Sequence, residues 1–278
     1  MSVAFQEADW KDSAGRSLHY YCWKPAPARA LLVIVHGFGE HAGRYRPVAE
    51  WLAGAGICVA APDLPGHGRS EGSRGDLADL EGCVCELARM TQERLLPESG
   101  QQGYAVFGHS FGGLLAAMWA MQAPPGLRRA AIQAPLIDVG FPVPRWKERV
   151  AAWLAQVAPG MTLDMGLDLK ALSRNPEIGR AYKDDRLVHS RMSARAYQAI
   201  LKSRDEVVAH PERIRVPVLF LQGGADRIVS VAAAQRWYES LTCEKHQAFF
   251  PDCYHELHHE TARDDMLRLV RDWVLDAS

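Results

Sequence analysis

Gly103-Tyr-Ala-Val-Phe-Gly-His-Ser-Phe-Gly-Gly113 is the stretch on which the reading of this chain turns. Its first half is a short apolar run, as expected for a strand buried on both faces. Its second half, Gly108-His-Ser-Phe-Gly112, is a G-x-S-x-G pattern. A helical pattern over residues 113–122 follows at once. A serine on a sharp strand-to-helix turn has its hydroxyl lifted clear of the sheet, and neighbouring glycines let the chain fold back without clash. The helix beginning there points its N-terminus at the same spot. Ser110 is therefore a candidate nucleophile.

Outward from this turn, residues 31–35, 56–61, 129–133 and 218–222 repeat the apolar strand pattern. Residues 17–23 are aromatic and β-branched enough for a strand, and residues 246–250 supply a last one. Helical patterns lie between them at 46–53, 77–96, 231–241 and 261–275. The alternation predicts an α/β fold with a mostly parallel central sheet and helices on both faces. From about residue 140 to 204 no strand is evident. Phe141-Pro-Val-Pro144 reads as an extended link, and Trp146, Val150, Trp153, Leu154 and Val157 then fall at helical spacing. Residues 169–174 and 190–204 also read as helical. The predicted division is a core at 1–139, a helical cap at 140–205, and the rest of the core at 206–278.

Composition narrows the function classes. The 278 residues are 48% apolar and 23% charged, enough for a large buried core. Lys plus Arg is 32 against 33 for Asp plus Glu, so the chain has no global basic field and is not expected to hold nucleic acid. No apolar run approaches the roughly 20 residues that cross a bilayer, and the N-terminus lacks the pattern of a signal peptide. The 6 cysteines form no disulfide framework. The expectation is reduced thiols and a cytoplasmic protein.

A serine nucleophile needs a base, and the base needs an acid to orient it. In this architecture the chain order is Ser, acid, His. Gly223-Gly-Ala-Asp226 follows the strand at 218–222, which places Asp226 at the carboxyl end of a sheet strand. Asp252 reads as a turn residue. Tyr254-His-Glu-Leu-His-His-Glu260 offers His255, His258 and His259. His255 stands soonest after the last strand and is the candidate base. His255, Glu256 and His259 also have zinc-site spacing, but the preceding Pro251 turn argues against the long helix such a site needs, so no metal is expected. Acyl transfer builds negative charge on a carbonyl oxygen, which two backbone N–H groups can hold. Phe111 N–H follows the nucleophile. Phe38 N–H, in His36-Gly-Phe-Gly-Glu40 after the strand at 31–35, is the second candidate, and His36 is read as structural.

These pieces resemble an α/β-hydrolase-fold serine hydrolase, more narrowly the monoacylglycerol lipase and lysophospholipase group. The resemblance rests on His36-Gly-Phe-Gly-Glu-His-Ala-Gly-Arg-Tyr45, Asp63-Leu-Pro-Gly-His-Gly-Arg-Ser-Glu-Gly72, Gly108-His-Ser-Phe-Gly-Gly113, Ala134-Pro-Leu136, Leu172-Ser-Arg-Asn175 with Tyr182 and Leu187, Gln222-Gly-Gly-Ala-Asp226 and Tyr254-His-Glu-Leu-His258. It implies a Ser110–Asp226–His255 triad, an oxyanion hole from Phe38 and Phe111, no cofactor, and a lipid-like small-molecule ester as substrate. It also implies that Glu40, Arg44 and Tyr182 lie near the glycerol end. Glu40 would accept from glycerol hydroxyls with Arg44 fixing it, or the two would be a structural pair that holds the loop. Two departures stand out: Phe111 where the group usually has Met, and Phe38 where a small residue is common, so that two rings would narrow the site. The cap stripe, with Arg145, Lys147 and Arg149 beside it, would either touch a lipid surface, making the protein peripherally membrane-associated, or pack onto the core. The resemblance makes a monoacylglycerol, cleaved to fatty acid and glycerol, the preferred substrate. The alternatives are a lysophospholipase, a general carboxylesterase or thioesterase on the same triad, and a non-catalytic ligand binder on the same fold, against which the three filled triad positions argue. The sequence leaves the oligomeric state open.

Overall fold

The computed structural model describes residues 2–141 and 145–276; the side chains of 145, 147 and 148 fall outside that description. The strands are β1 Ser2–Lys11, β2 Ser17–Ala26, β3 Ala30–Val35, β4 Ile57–Pro62, β5 Tyr104–His109, β6 Leu127–Gln133, β7 Thr162–Asp164, β8 Arg191–Ser193, β9 Val218–Gly223 and β10 Lys245–Phe250. The helices are α1 Arg46–Gly54, α2 Leu80–Met90, α3 Leu96–Ser99, α4 Phe111–Gln122, α5 Arg145–Val157, α6 Pro176–Asp184, α7 Ala194–Ala209, α8 Val231–Ser240 and α9 Arg263–Leu275.

Eight strands form one sheet in the order β1-β2-β4-β3-β5-β6-β9-β10. β1 and β2 pair antiparallel, as do β2 and β4; the remaining pairs are parallel. β3, β4, β5 and β9 are buried throughout. Their side chains alternate between two cores: Leu31, Val33 and Val35 of β3 join α2, α4, α7 and α8 on one face, while Leu32 and Ile34 join α1 and α9 on the other. This explains why these strands read as continuous apolar runs. The chain leaves β3 for β4 on one side and returns to β5 on the other. The carboxyl ends of β3 and β5 thus flank a topological switch point, where open α/β sheets form their sites.

Several expectations change in detail. β1 was not anticipated. It is an edge strand exposed along most of its length, so it carries no apolar alternation to detect. The helix expected at 77–96 begins at Leu80 and widens into a π turn at Thr91–Leu95 before α3. Pro97 has no N–H and crowds the carbonyl four residues back, which disfavours a regular α-turn there. Among the described residues, the insertion at 140–205 gives no strand to the large sheet, but it is not strand-free: β7 and β8 pair antiparallel over three residues each. Ladders that short carry no readable period. α6 was missed, and the helix expected at 169–174 is one 3-10 turn, Leu169–Ala171. The link at 141–144 lies outside the described residues from 142 onward.

Candidate active site

Ser110 stands between β5 and α4 with φ 56° and ψ −116°. A non-glycine residue pays about 1–3 kcal/mol for such a backbone, so its surroundings must enforce it. Ser110 N–H donates to Gln133 O at 3.0 Å, and its carbonyl accepts from Leu136 N–H at 3.0 Å and Leu114 N–H at 3.1 Å. The two motif glycines are required by close approach. A Cβ on Gly108 would lie 2.1 Å from Gly112 O, and one on Gly112 would lie 2.1 Å from Val35 O. The half-buried Ser110 hydroxyl makes no protein hydrogen bond among the described residues. Such bonds to a base are often loose without substrate and tighten on binding.

Asp226 follows β9 and His255 follows β10. His255 Nδ1–H donates to Asp226 Oδ2 at 2.7 Å, and both residues are buried. Asp226 Oδ1 accepts from Ile228 N–H at 2.8 Å and Val229 N–H at 3.1 Å. Burial would push the Asp226 carboxyl up, but the facing imidazole and these donors hold it below the usual carboxylate range. Burial would likewise depress His255; the Asp226 charge and hydrogen bond outweigh it and leave His255 above its ordinary 6.5. The His255 ring packs against His109, the neighbour of Ser110, at 4.6 Å between centroids. Burial, then the His255 charge, push His109 down to about 3, so it stays neutral. Gln133, at the end of β6, offers its amide nitrogen to His109 Nδ1 at 2.8 Å and to His258 Nδ1 at 3.1 Å. The sequence reading missed Gln133 and His109. Their signal was position alone: one ends a core strand and the other is the variable residue before Ser110.

The N–H of Phe111 opens α4, where first-turn donors have no intrahelical acceptor. Neither it nor the Phe38 N–H finds a protein acceptor among the described residues. The two rings meet edge to face at 5.3 Å. They do not both crowd the site: the Phe111 ring is fully buried in the core, while Phe38 is half-buried between Phe111, His67 and His189. His36 is structural as read. Its Nδ1–H donates to Gly37 O at 2.7 Å and its Nε2 accepts from Leu64 N–H at 3.0 Å, joining the loops after β3 and β4.

Glu40 is buried. Its Oε1 accepts from Gly37 N–H at 2.6 Å and from the Tyr45 hydroxyl at 2.8 Å, and its Oε2 binds Arg44. Arg44 also grips Glu256 with both terminal nitrogens at 2.8 Å, and its guanidinium lies 4.7 Å over the ring of Tyr182, from α6. Burial opposes ionisation of Glu40, but Arg44 holds its carboxyl below the usual range. These partners favour the loop-holding reading of Glu40 and Arg44. The insertion is tied to the same loop, through His189 N–H to Gly39 O at 2.8 Å and His41 Nε2 to Asp185 at 2.8 Å.

The zinc-like spacing is used otherwise. His255 is committed to Asp226, and Leu257–His259 is a 3-10 turn rather than part of a long helix. Glu256, His258 and His259 do bring ligand atoms within 4.8 Å of one another. Arg44 already supplies the cation that Glu256 faces, so the donor set does not suit a metal. Five residues expected from the sequence, Ser110, Asp226, His255, Phe38 and Phe111, all lie at the carboxyl ends of β3, β5, β9 and β10 or in the loops after them.

An eight-stranded sheet of this order, a serine elbow after β5 and an insertion between β6 and β9 define an α/β hydrolase. The family described as serine aminopeptidase, S33 matches residues 26–262. A monoacylglycerol lipase of Mycolicibacterium smegmatis is 30% identical over 283 aligned positions, covering 99% of each chain. The crystal structure of a Paleococcus ferrophilus monoacylglycerol lipase superposes with a TM-score of 0.82 at 31% identity, covering 100% of both chains. The phospholipase YtpA of Bacillus subtilis is 27% identical over 90% of this chain and 97% of its own. The chain belongs to the serine aminopeptidase S33 group of α/β hydrolases and, within it, to the monoacylglycerol lipase family.

Proposed function

We propose that the chain is a serine ester hydrolase that cleaves monoacylglycerols to fatty acid and glycerol. The observation that carries the chemistry is the buried His255–Asp226 hydrogen bond of 2.7 Å beside the Ser110 elbow. The full-length likeness to relatives named monoacylglycerol lipase supports the substrate. Ser110 Oγ attacks the ester carbonyl as His255 takes its proton, and Asp226 steadies the imidazolium. The Phe38 and Phe111 N–H groups hold the tetrahedral oxyanion. His255 then protonates the departing glycerol, and water cleaves the acyl-enzyme by the same steps. These groups suffice without metal or organic cofactor.

Residues 140–205 act as a cap. On α5, Trp146, Val150, Trp153 and Val157 are 64%, 42%, 60% and 57% exposed, while Leu154 is buried. The stripe therefore faces outward, which favours contact with a lipid surface over packing on the core. Arg149 is exposed beside it; the side chains of Arg145 and Lys147 lie outside the described residues. No helix of the described residues is long and apolar enough to cross a membrane. A Trp146→Ser/Trp153→Ser variant is expected to lose most co-sedimentation with liposomes while keeping its rate on a dispersed short ester. Unchanged co-sedimentation would remove the lipid-facing role.

The function is tested by fatty-acid release from a monoacylglycerol, the lysophosphatidylcholine of the same chain, a short p-nitrophenyl ester and a triacylglycerol. The expected result is fastest release from the monoacylglycerol. Equal or faster release from the lysophospholipid would favour a lysophospholipase, in line with the likeness to YtpA. Turnover of the short ester alone would mark a general esterase.

A further inference from the structure

Glu256 immediately follows the candidate base, and neither the fold nor the triad requires a carboxylate there. It is almost wholly buried. Its N–H donates to Leu172 O at 2.8 Å, and its carboxylate receives both terminal nitrogens of Arg44 at 2.8 Å and His259 Nδ1 at 2.6 Å. Arg44 passes the contact to Glu40, and Glu40 receives Gly37 N–H at 2.6 Å. Gly37 is bonded to Phe38. A continuous chain of charged contacts therefore runs from the residue after His255 to the residue before a candidate oxyanion donor.

Charges withdrawn from water to this depth contribute little net stability when compared with apolar packing. What they supply is direction. A guanidinium fork on a carboxylate edge accepts one relative orientation, and Glu40, bound to the same Nη1 that meets Glu256, is oriented with it. The loop after β3 and the loop after β10 belong to different ends of the sequence, and no sheet ladder joins them. Arg44 bridges them through charge, beside the rings of Tyr45 and His258, which stack at 4.8 Å.

We propose that Glu256 is a positioning residue which, through Arg44 and Glu40, sets the place of the Phe38 N–H relative to His255. This rests on the serine-hydrolase reading above. Glu256 acts on the hole at a distance and does not touch the reacting atoms. Loss of its charge loosens the Arg44 fork, lets Glu40 and the Gly37–Phe38 peptide drift, and weakens the hold on the oxyanion more than the hold on the ground-state ester.

The test compares the full-length chain with Glu256→Gln, Glu256→Asp, Glu40→Gln and the Glu40→Gln/Glu256→Gln double variant. The readouts are kcat, KM and inhibition by an alkyl trifluoromethyl ketone. In that adduct Ser110 Oγ bonds to the ketone carbon, its proton passes to His255, and the carbonyl electron pair moves to the oxygen as an oxyanion. For Glu256→Gln the expected result is a kcat lower by about 30-fold, a KM within about 2-fold, and ketone inhibition weakened about as much as kcat. Glu256→Asp should recover part of the loss. The double variant should be within about 3-fold of Glu40→Gln alone, because both act through one chain of contacts. A kcat and ketone affinity within about 2-fold of the parent, losses that multiply in the double variant, or a kcat loss without the ketone loss would each overturn the proposal. If Glu256→Gln does not fold, Arg44→Lys keeps the charge and loses the fork, and must show the same paired loss. Activity surviving in Ser110→Ala would instead remove the serine-hydrolase reading on which the proposal stands.

Discussion

Ser110→Ala is expected to lower kcat on any accepted ester by on the order of 10⁶-fold and to abolish labelling by a fluorophosphonate. In the proposed mechanism the hydroxyl forms the acyl-enzyme, and no other nucleophile occupies the elbow. The loss should be confined to chemistry. Ser110 Oγ has no protein hydrogen bond to lose among the described residues, and alanine keeps the Cβ at the same φ of 56°. Thermal unfolding should therefore coincide with that of the parent within a change of about 0.5 kcal/mol. Retained labelling at another residue, or turnover within a few-fold of the parent, would move the nucleophile elsewhere.

Asp226→Asn is expected to lower kcat by about 10⁴-fold while leaving the fold intact. The direction of the effect follows from the partners. Oδ1 is held by two backbone N–H groups, from Ile228 and Val229, so the retained amide oxygen must stay on that side. The new amide nitrogen then faces His255 Nδ1, which can only accept from it. The imidazole proton is driven to Nε2, and the ring can no longer take a proton from Ser110. The pH profile adds a second readout. His255 must be neutral to act as base, and beside Asp226 its pKa lies above 6.5. In the parent, kcat/KM should fall as pH drops through that raised value. Without the Asp226 charge the imidazolium loses its stabilising partner, so the residual activity should keep its rate to lower pH. A parent acid limb at or below 6.5, or a limb that does not move in Asp226→Asn, would deny the pair this role.

The strands of the core were legible because each is buried on both faces, and a run such as Leu-Leu-Val-Ile-Val at 31–35 has no other stable home in water. The elbow was legible because a Cβ on Gly108 or Gly112 would come within 2.1 Å of a backbone oxygen, a demand that only glycine meets. Elements without a buried face gave less: β1 is an exposed edge, and β7 and β8 are too short for a period. α6 did carry a signal in Asn175-Pro176, the cap and first position of a helix, but a nine-residue helix with one buried side chain shows little apolar period.

Local order along the chain thus determined the fold class, the serine turn, and the succession Ser110, Asp226, His255, because each depends on a strand and the few residues after it. Tertiary structure alone decided which groups share a partner. Glu40 and Arg44 are four residues apart and suggest a pair on sight, yet Arg44 divides itself between Glu40 and Glu256, 212 positions further on. Phe111 and Phe38 both suggest obstruction, yet one ring is spent on the core. The amphipathic stripe of α5 has the same spacing whether it faces the core or the solvent, and its exposure is set by what packs behind it. Period and spacing constrain a side chain's direction relative to its own helix or strand, whereas its partners are chosen by segments that sequence distance does not reveal.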